Sequence, residues 1–379
     1  MTLLSDPAVV ERIFEHIDRR TTDLGEAPWR EPTEHYRSER RLALELDVLR
    51  RHPTPLCPSA ALAGVGSWRA REAAGTPLLA VRGRDGAARV FRNACRHRGT
   101  QVATGSGCSG GFVCPYHGWT YDLDGSLRHV PHEHGFPGLD RGGRGLAPVA
   151  AVERHGLVFV AQDEPGAAAA RLDELLREVP SPLVDERFRL SAEESDEREI
   201  QANWKIVVEG FLEGYHIRAT HRETFYPLQF DNLNVVETFG PGSRIAFPYR
   251  AVGKLRQVPG AERSAEGVLT YVYHLFPNAI VATFPGRRVL AVVEPLTVDR
   301  SRLVSYGLSD RPEGDAEARS ALERGARLVD AGSAEDRAMA ESVQRGLASG
   351  ANEHFEFGRF EAAIGHFHRA LDRAIDGRA

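Results

Sequence analysis

Cysteine is scarce: Cys57, Cys95, Cys108 and Cys114 are the only four in 379 residues. A disulfide-stapled scaffold needs more cysteine in a shorter chain, so that class is excluded. No run of eighteen apolar residues occurs, which excludes a membrane-spanning helix. Met1 to Asp6 lacks the basic and apolar regions of a secretory signal. Arg19-Arg20 precedes polar residues rather than the apolar stretch of a twin-arginine leader. A cytoplasmic protein is therefore expected. A strong charge excess is also missing. The formal charge of -5 offers no footprint for nucleic acid, and Arg19-Arg20 and Arg287-Arg288 read as solvated surface. There is no internal repeat, and the glycines of RGGRG (141–145) precede no βαβ unit, so no nucleotide-binding loop is expected.

What is present suits a folded protein of two domains. Hydrophobic residues at 42% can build a core, and charged residues at 27% exclude global disorder. Residues 6–19 read as an amphipathic helix with Asp6 and Pro7 at its start and Val9, Val10, Ile13, Phe14 and Ile17 on one face. Leu42, Leu46 and Leu49 mark a second helix over 36–50, stopped by Pro53, Pro55 and Pro58. From about 58 to 165 short strand-like runs alternate with Gly and Asp turns, and Asp124–Gly125 predicts a hairpin. The acidic stretch 190–200 reads as a linker into a helix over 201–221. Extended segments then fill 243–309, and two helices close the chain near 314–349 and 359–376. An α+β protein is expected: an N-terminal helical segment (1–50) packing on a large C-terminal domain (166–379), with a small β domain (51–165) between them.

Fifteen histidines exceed what packing alone requires, so their spacing matters. Cys95-Arg96-His97 and Cys114-Pro115-Tyr116-His117 each place a thiol and an imidazole on one tight loop. Structural zinc accepts two thiolates and two imidazoles. Zinc fingers, however, usually pair cysteine with cysteine and histidine with histidine. One Cys and one His per loop suits a diiron cluster in which one iron takes both thiolates and the other both imidazoles. Cys57 and Cys108 fall outside the pattern and read as structural thiols.

CRHRG (95–99) followed by CPYHGWTYDLDG (114–125) resembles the Rieske domain of the ring-hydroxylating non-haem iron oxygenases. The resemblance implies a [2Fe–2S] cluster, with Cys95 and Cys114 on the inner iron and His97 and His117 on the outer one. It also implies Trp119 beside the cluster and a catalytic domain of helix-grip (START-like) form with a curved antiparallel sheet.

A second centre is suggested by residues 201–225. On a helix, Glu213 and His216 are neighbours, whereas His221 lies about 140° around from His216. Both histidines reach one ion only if the helix bends, widens or ends between them. NWK…E…E-x-Y-H-x4-H (203–221) resembles the catalytic domain of the same family, which implies His216 and His221 as ligands of a mononuclear Fe(II). By the same resemblance the third ligand comes from AEDRAMAESVQRGLASG (334–350): Asp336 is chosen, with Glu335 its neighbouring rival. Glu213 would bridge His216 to His117 of an adjacent subunit. It is Glu where the family commonly has Asp, as in the branch acting on carnitine and related quaternary amines. Asn203 is expected to tie the helix start to the iron helix, Trp204 and Tyr215 to pack, and His366 and His368 to be structural. Gly210 replaces the family's usual asparagine.

The function implied is that of a terminal oxygenase. It would use O2 and electrons from NAD(P)H, delivered through a separate flavin or iron–sulfur reductase with or without a ferredoxin, to hydroxylate or oxidatively dealkylate a small organic substrate. Cis-dihydroxylation of an aromatic ring is the alternative, and a non-catalytic Rieske electron carrier with a ligand-binding domain is a third. A homotrimer is expected, with no nucleic-acid or membrane partner. Pocket candidates are Phe211, Leu212, Phe225, Phe239, Phe247, Tyr249, Tyr273, Phe276 and Phe284.

Overall fold

The structure, a computed structural model, describes residues 3–163, 165–181, 183–191, 196–310 and 316–377. It contains two compact units: Leu49–Glu186, and a larger one in which Met1–Val48 joins Arg187–Ala379. Helix α1 (Asp6–Arg19) opens the chain with Pro7 in its first turn, where no backbone donor is needed, and buries Val9, Val10, Ile13 and Phe14. Strand β1 (Trp29–Pro32) and a 3-10 turn (Thr33–Tyr36) precede α2 (Glu39–Arg51). That helix starts three residues later than its leucine spacing predicts, because the Ser38 hydroxyl accepts from the Arg41 N–H (3.2 Å) and caps it.

The smaller unit holds β2 (Thr54–Pro58), β3 (Ser67–Ala73), β4 (Thr76–Arg82), β5 (Ala88–Arg92) and β6 (Ser106–Cys108). After them come β7 (Phe112–Val113), β8 (Thr120–Tyr121), β9 (Leu127–His129), β10 (Pro148–Arg154) and β11 (Leu157–Ala161). One antiparallel sheet has the order β2-β11-β10-β5-β4-β3-β6, and a second has β7-β8-β9. Between β8 and β9 the turn needs glycine: Gly125 has φ +85°, and a Cβ there would lie 2.5 Å from the Phe91 ring. Helix α3 (Pro165–Leu175) buries Ala168 and Leu172 on the β10–β11 hairpin, with Leu176 beyond its end. The smaller unit therefore runs to Glu186, past the expected boundary at 165.

In the larger unit, β12 (Arg189–Leu190) and β13 (Asp196–Ile200) lead into α4 (Trp204–Gly210) and α5 (Ile217–Thr220). The strands β14 (Val235–Phe239), β15 (Gly242–Pro248), β16 (Leu269–Leu275), β17 (Ala279–Phe284), β18 (Arg287–Thr297) and β19 (Arg300–Ser309) follow. Helix α6 (Ala316–Leu347), β20 (His354–Phe357) and α7 (Ala362–Ile375) close the unit. The curved antiparallel sheet has the order β12-β19-β18-β17-β16-β15-β14, with β13 also on β19, while β20 pairs with β1. Trp204 and Val208 of α4 and Phe367 and Leu371 of α7 pack over Ile245 and Val293 of the sheet.

Two expectations are corrected. Of the supposed linker 190–200, residues 192–195 lie outside the described residues, and Asp196–Ile200 is an edge strand on β19. Its charges read as linker, but they suit an exposed sheet edge, and Glu199 faces Arg302 at 3.5 Å across the pairing. The single helix over 201–221 is two short helices with a turn between them. Of the closing helices, the predicted 314–315 lie outside the described residues, and α7 is preceded by a 3-10 turn at Arg359–Glu361. Among the described residues no helix is long and apolar enough to cross a membrane.

Candidate metal centres and the adjoining cavities

In the smaller unit the two Cys/His loops are built alike. The Cys95 N–H donates to Thr100 O and the Gly99 N–H to Cys95 O (both 2.8 Å). Nineteen positions on, the Cys114 N–H donates to Trp119 O (2.8 Å) and the Gly118 N–H to Cys114 O (3.0 Å). Gly99 and Gly118 have φ +84° and +72°, left-handed values that let each loop fold back on itself. Both thiols are buried, and His97 Nδ1 and His117 Nδ1 sit 3.1 Å apart toward solvent. Tyr121 Oη lies 3.2 Å from Cys95 Sγ and accepts from the Arg96 N–H at 2.8 Å. Burial raises the Cys114 thiol above its ordinary range, opposed by the N–H groups of Tyr116 and His117. Trp119 stacks on His97 with ring centroids 5.1 Å apart.

These four groups form a sulfur end and a nitrogen end. Among the described residues, the one set of three or more donors that converges on a point lies elsewhere. A tetrahedral zinc needs all four donors within reach of one ion, so the arrangement fits an elongated two-iron group and not zinc.

The convergent set is His216, His221 and Asp336, whose ligand atoms all lie within 4.8 Å of one another. Helix α4 ends at Gly210, and a turn carries Glu213 to His216, which begins the one-turn α5; His221 caps its C-terminus. The break removes the angular offset that a continuous helix would impose. Asp336 Oδ1 lies 2.8 Å from His221 Nε2 and 3.5 Å from His216 Nε2. Each imidazole is held from behind: His216 Nδ1 bonds Glu213, and His221 Nδ1 meets Glu335 Oε2 at 2.8 Å. With both Nδ1 atoms engaged, both Nε2 lone pairs are free to face one ion. Glu335 also accepts from Thr224 Oγ1 (2.6 Å), so it orients His221 while Asp336 faces the Nε2 atoms.

Glu213 accepts further from the N–H groups of Tyr215 and His216. Burial would lower the His216 pKa, but Glu213, Asp336 and Glu361 together raise it. Glu361 is pushed up to about 7 by burial and by the Glu213 and Glu209 carboxylates, against the Gly358 N–H it accepts. Asn203 caps α4 by accepting from the Lys205 N–H (3.0 Å), and its own N–H donates to Gln344 Oε1 of α6 (2.9 Å), so it does tie the two helices. Trp204 is fully buried with Nε1 donating to Glu45 (2.8 Å), whereas Tyr215 is exposed against Phe360 and is no core residue.

Two cavities adjoin the triad. One, of about 350 Å³, is walled by Phe211, Phe225, Phe247, Tyr249 and Phe284, five of the expected pocket residues. The other, of about 390 Å³, has Glu209, Glu213 and Glu361 on its wall. The remaining candidates sit elsewhere. Leu212 and Phe276 belong to the core, Phe239 packs near Gly242, and Tyr273 points to the opposite sheet face beside Tyr271. Strand alternation explains the last: on β16, Thr270 and Val272 face the first cavity and Tyr271 and Tyr273 face away. Residue type had drawn attention to the tyrosines, and alternation would have found Thr270 and Val272. Gln229 and Leu328 also line this cavity and carried no sequence signal, and Arg287, expected at the solvated surface, is instead buried on its wall.

Two family models match the sequence: the Rieske [2Fe-2S] domain over residues 52–141, and the ring hydroxylating alpha subunit (catalytic domain) over 188–377. The chain belongs to the Rieske non-haem iron oxygenases, as an alpha subunit. It is 34% identical over 210 residues to the glycine betaine monooxygenase oxygenase subunit of Chromohalobacter salexigens, covering 54% of this chain and 46% of that one. It is 28% identical to chloroplastic choline monooxygenase of Beta vulgaris (78% and 66% covered) and 27% identical to the carnitine monooxygenase oxygenase subunit of Escherichia coli (83% and 84%). The chain thus spans less than two thirds of the first two relatives. Its fold matches the quaternary ammonium Rieske monooxygenase CntA, with TM-score 0.75, 21% identity and 92% and 96% coverage. It also matches naphthalene 1,2-dioxygenase with indole bound, with TM-score 0.73, 18% identity and 94% of each chain.

Proposed function

We propose that this chain is the terminal component of a Rieske monooxygenase system that hydroxylates or oxidatively dealkylates a small organic substrate with O2. The observation that carries this reading is the convergence of His216, His221 and Asp336 at the edge of an apolar cavity. In this reading His216, His221 and Asp336 hold Fe(II), and Cys95, His97, Cys114 and His117 hold the [2Fe–2S] cluster. Two imidazoles and one carboxylate leave iron positions open for O2 beside the substrate, which is the chemistry the metal supplies when bound. Glu213 and Glu335 fix the ligand imidazoles, and the aromatic wall excludes water and positions the substrate. The smaller unit would carry the cluster and the larger unit the oxygenation site, a helix-grip (START-like) domain in this reading.

Electrons would arrive from NAD(P)H through a separate reductase, which favours a cytoplasmic setting. In a homotrimer, closed by head-to-tail contacts, Glu213 would bridge His216 to His117 of the next subunit. The relatives' names and the five aromatic rings favour a small N-alkylated amine, since aromatic faces attract an alkylated cation.

The test is iron and sulfide quantification together with product analysis under ¹⁸O2. Wild type should carry three irons per chain, two of them with sulfide, and retain one labelled atom in product. His216→Ala should keep the sulfide and the two cluster irons, lose the third iron and form no product. A fully active His216→Ala rejects the site, and two retained labelled atoms would establish cis-dihydroxylation instead.

A further inference from the structure

The second cavity is bounded by carboxylates that the proposed chemistry has not used. One of them, Glu209, is the inner end of a buried polar chain. Its Oε1 accepts from the Tyr36 hydroxyl (2.6 Å) and meets His368 Nε2 at 2.9 Å. His368 is wholly buried. Its other nitrogen, Nδ1, makes no hydrogen bond but faces Glu31 Oε1 at 3.4 Å, an ion-pair contact. Glu31, 1% exposed, bonds Trp29 Nε1 (2.9 Å) and His35 Nδ1 (2.6 Å). The His35 side chain is 29% exposed, so the chain of groups begins at solvent. It ends at a cavity that Glu213, His216 and Asp336 also line.

We propose that His35, Glu31, His368 and Glu209 form a proton path from solvent to the cavity beside the metal triad. The proposal rests on the oxygenase reading. Monooxygenation consumes O2, two electrons and two protons, placing one oxygen atom in the product and releasing the other as water. The reductase supplies the electrons, and the protons come from solvent.

Histidine is the side chain that can give a proton from one nitrogen while taking one at the other near neutral pH. The charged His368 ring carries a proton on each nitrogen and gives the one on Nε2 to Glu209 Oε1, which releases it into the cavity. The ring is then neutral with its proton on Nδ1, and a ring flip or tautomer exchange frees Nδ1 to take a proton from His35 by way of Glu31, His35 taking its own from water. Two such cycles deliver the two protons. Burial opposes the charge on His368, but its bond to Glu209 and the facing Glu31 carboxylate outweigh burial and raise its pKa to about 9, so the ring holds a proton to give. Burial would likewise raise the Glu31 pKa, yet its bond to His35 and the facing His368 ring hold it well below the usual carboxylate range. The neighbouring Glu45–Lys205 pair (2.8 Å) bonds Arg41, Trp204 and, through Lys205 Nζ, the His35 carbonyl (3.0 Å), and neither residue lines the cavity. A purely structural filling would not need a solvent end and a cavity end joined through both nitrogens of one histidine.

The test uses the holoenzyme with cluster and iron in place. Glu209→Gln keeps the shape and an acceptor oxygen for Tyr36 and His368 but cannot carry a proton. Single-turnover product formation should slow by roughly tenfold or more, with a larger solvent deuterium isotope effect. Iron content, sulfide content and substrate affinity should be unchanged. If Glu209→Gln loses iron, Glu31→Gln at the far end carries the same test.

A readout independent of turnover is exchange of the His368 ring N–H. It would be followed by ¹⁵N-histidine NMR on the full chain with its cluster oxidised and zinc in the triad. Exchange should be fast in wild type despite complete burial and slow in Glu31→Gln. An unchanged rate and isotope effect in Glu209→Gln, or wild-type exchange as slow as in Glu31→Gln, overturns the path. A wild type that oxygenates no substrate overturns the proposed function instead, and the exchange measurement still decides the path.

Discussion

The two metal centres reach their geometry by opposite routes. The cluster loops are local: each binds its own backbone within five residues, and each carries its thiol and imidazole two or three positions apart. The triad is assembled at long range: His221 and Asp336 are 115 positions apart and meet because α5 and α6 pack together. The first is a pair of preformed turns. The second exists only if a helix breaks at the right residue and a distant helix arrives in the right rotation. Sites of the first kind should fail piecewise, and sites of the second should be sensitive to whatever orients their ligands.

The sharpest way to break the comparison is to delete one centre and count the other. Cys114→Ser should abolish the cluster's visible absorbance and its sulfide while the triad still binds one iron. Asp336→Asn should do the reverse, losing the mononuclear iron with the cluster spectrum intact. Product formation should fall to background in both, and iron and sulfide analysis beside absorbance spectroscopy checks the pair. Joint loss of both metals in either variant would show that the centres are not independent.

A weaker perturbation addresses the orienting groups. Glu335→Gln removes the negative charge behind His221 Nδ1 and leaves an amide able to contact Thr224. Iron affinity should fall by about 10- to 100-fold, measured by titration of the metal-free triad, because an outer carboxylate fixes ring orientation and raises basicity. An affinity equal to wild type would mean that the triad needs no outer support.

Smaller again is the strain in the loops. Gly99→Ala and Gly118→Ala both place a Cβ on left-handed backbone, at about 1–2 kcal/mol each. A Cβ at Gly118 would also come within 3.1 Å of Pro131, whereas at Gly99 nothing lies within 4 Å. Denaturant unfolding should therefore rank Gly118→Ala below Gly99→Ala in stability. The reverse order would show that Pro131 yields freely.

A change of pH bears on the buried histidine of the larger unit. His368 is raised to about 9 in the fold from an ordinary 6.5, facing Glu31, Glu209 and the Tyr36 hydroxyl, with His35 beyond Glu31. A raised pKa means that the folded state binds the proton more tightly, so the contribution is complete below about pH 6.5 and is lost as pH rises through 9. The difference in Tm between wild type and His368→Gln should narrow from pH 6 to pH 10. A difference that stays constant would show that the ring is neutral in the fold.

The two thiol–imidazole loops were legible because their Cys, His and Gly residues lie within 95–118, where residue order and spatial order nearly coincide. His216 and His221 were legible as a pair, and their spacing required a helix break. At the break the Phe211 and Leu212 N–H groups turn back to Val208 O and Glu209 O, and the Glu213 carboxylate accepts from the Tyr215 and His216 N–H groups. Glu335 and Asp336 are adjacent, so type and position are nearly equivalent in sequence. Only the rotation of α6 turns one toward the Nε2 atoms and the other toward Nδ1. His368 was read as structural, since nothing within ten residues of it names Glu31 or Glu209 as partners.

Residue order alone thus determined the α+β character, the two thiol–imidazole loops and the candidate ligand types, because hydrophobic period and short-range spacing act within a few residues. Tertiary structure decided which carboxylate faces the triad and which aromatic rings form the cavity. It also decided that Asp196–Ile200 is a strand and that a buried histidine joins two glutamates. Each of these depends on segments far apart in the chain being brought to one register and one rotation by the burial of the core.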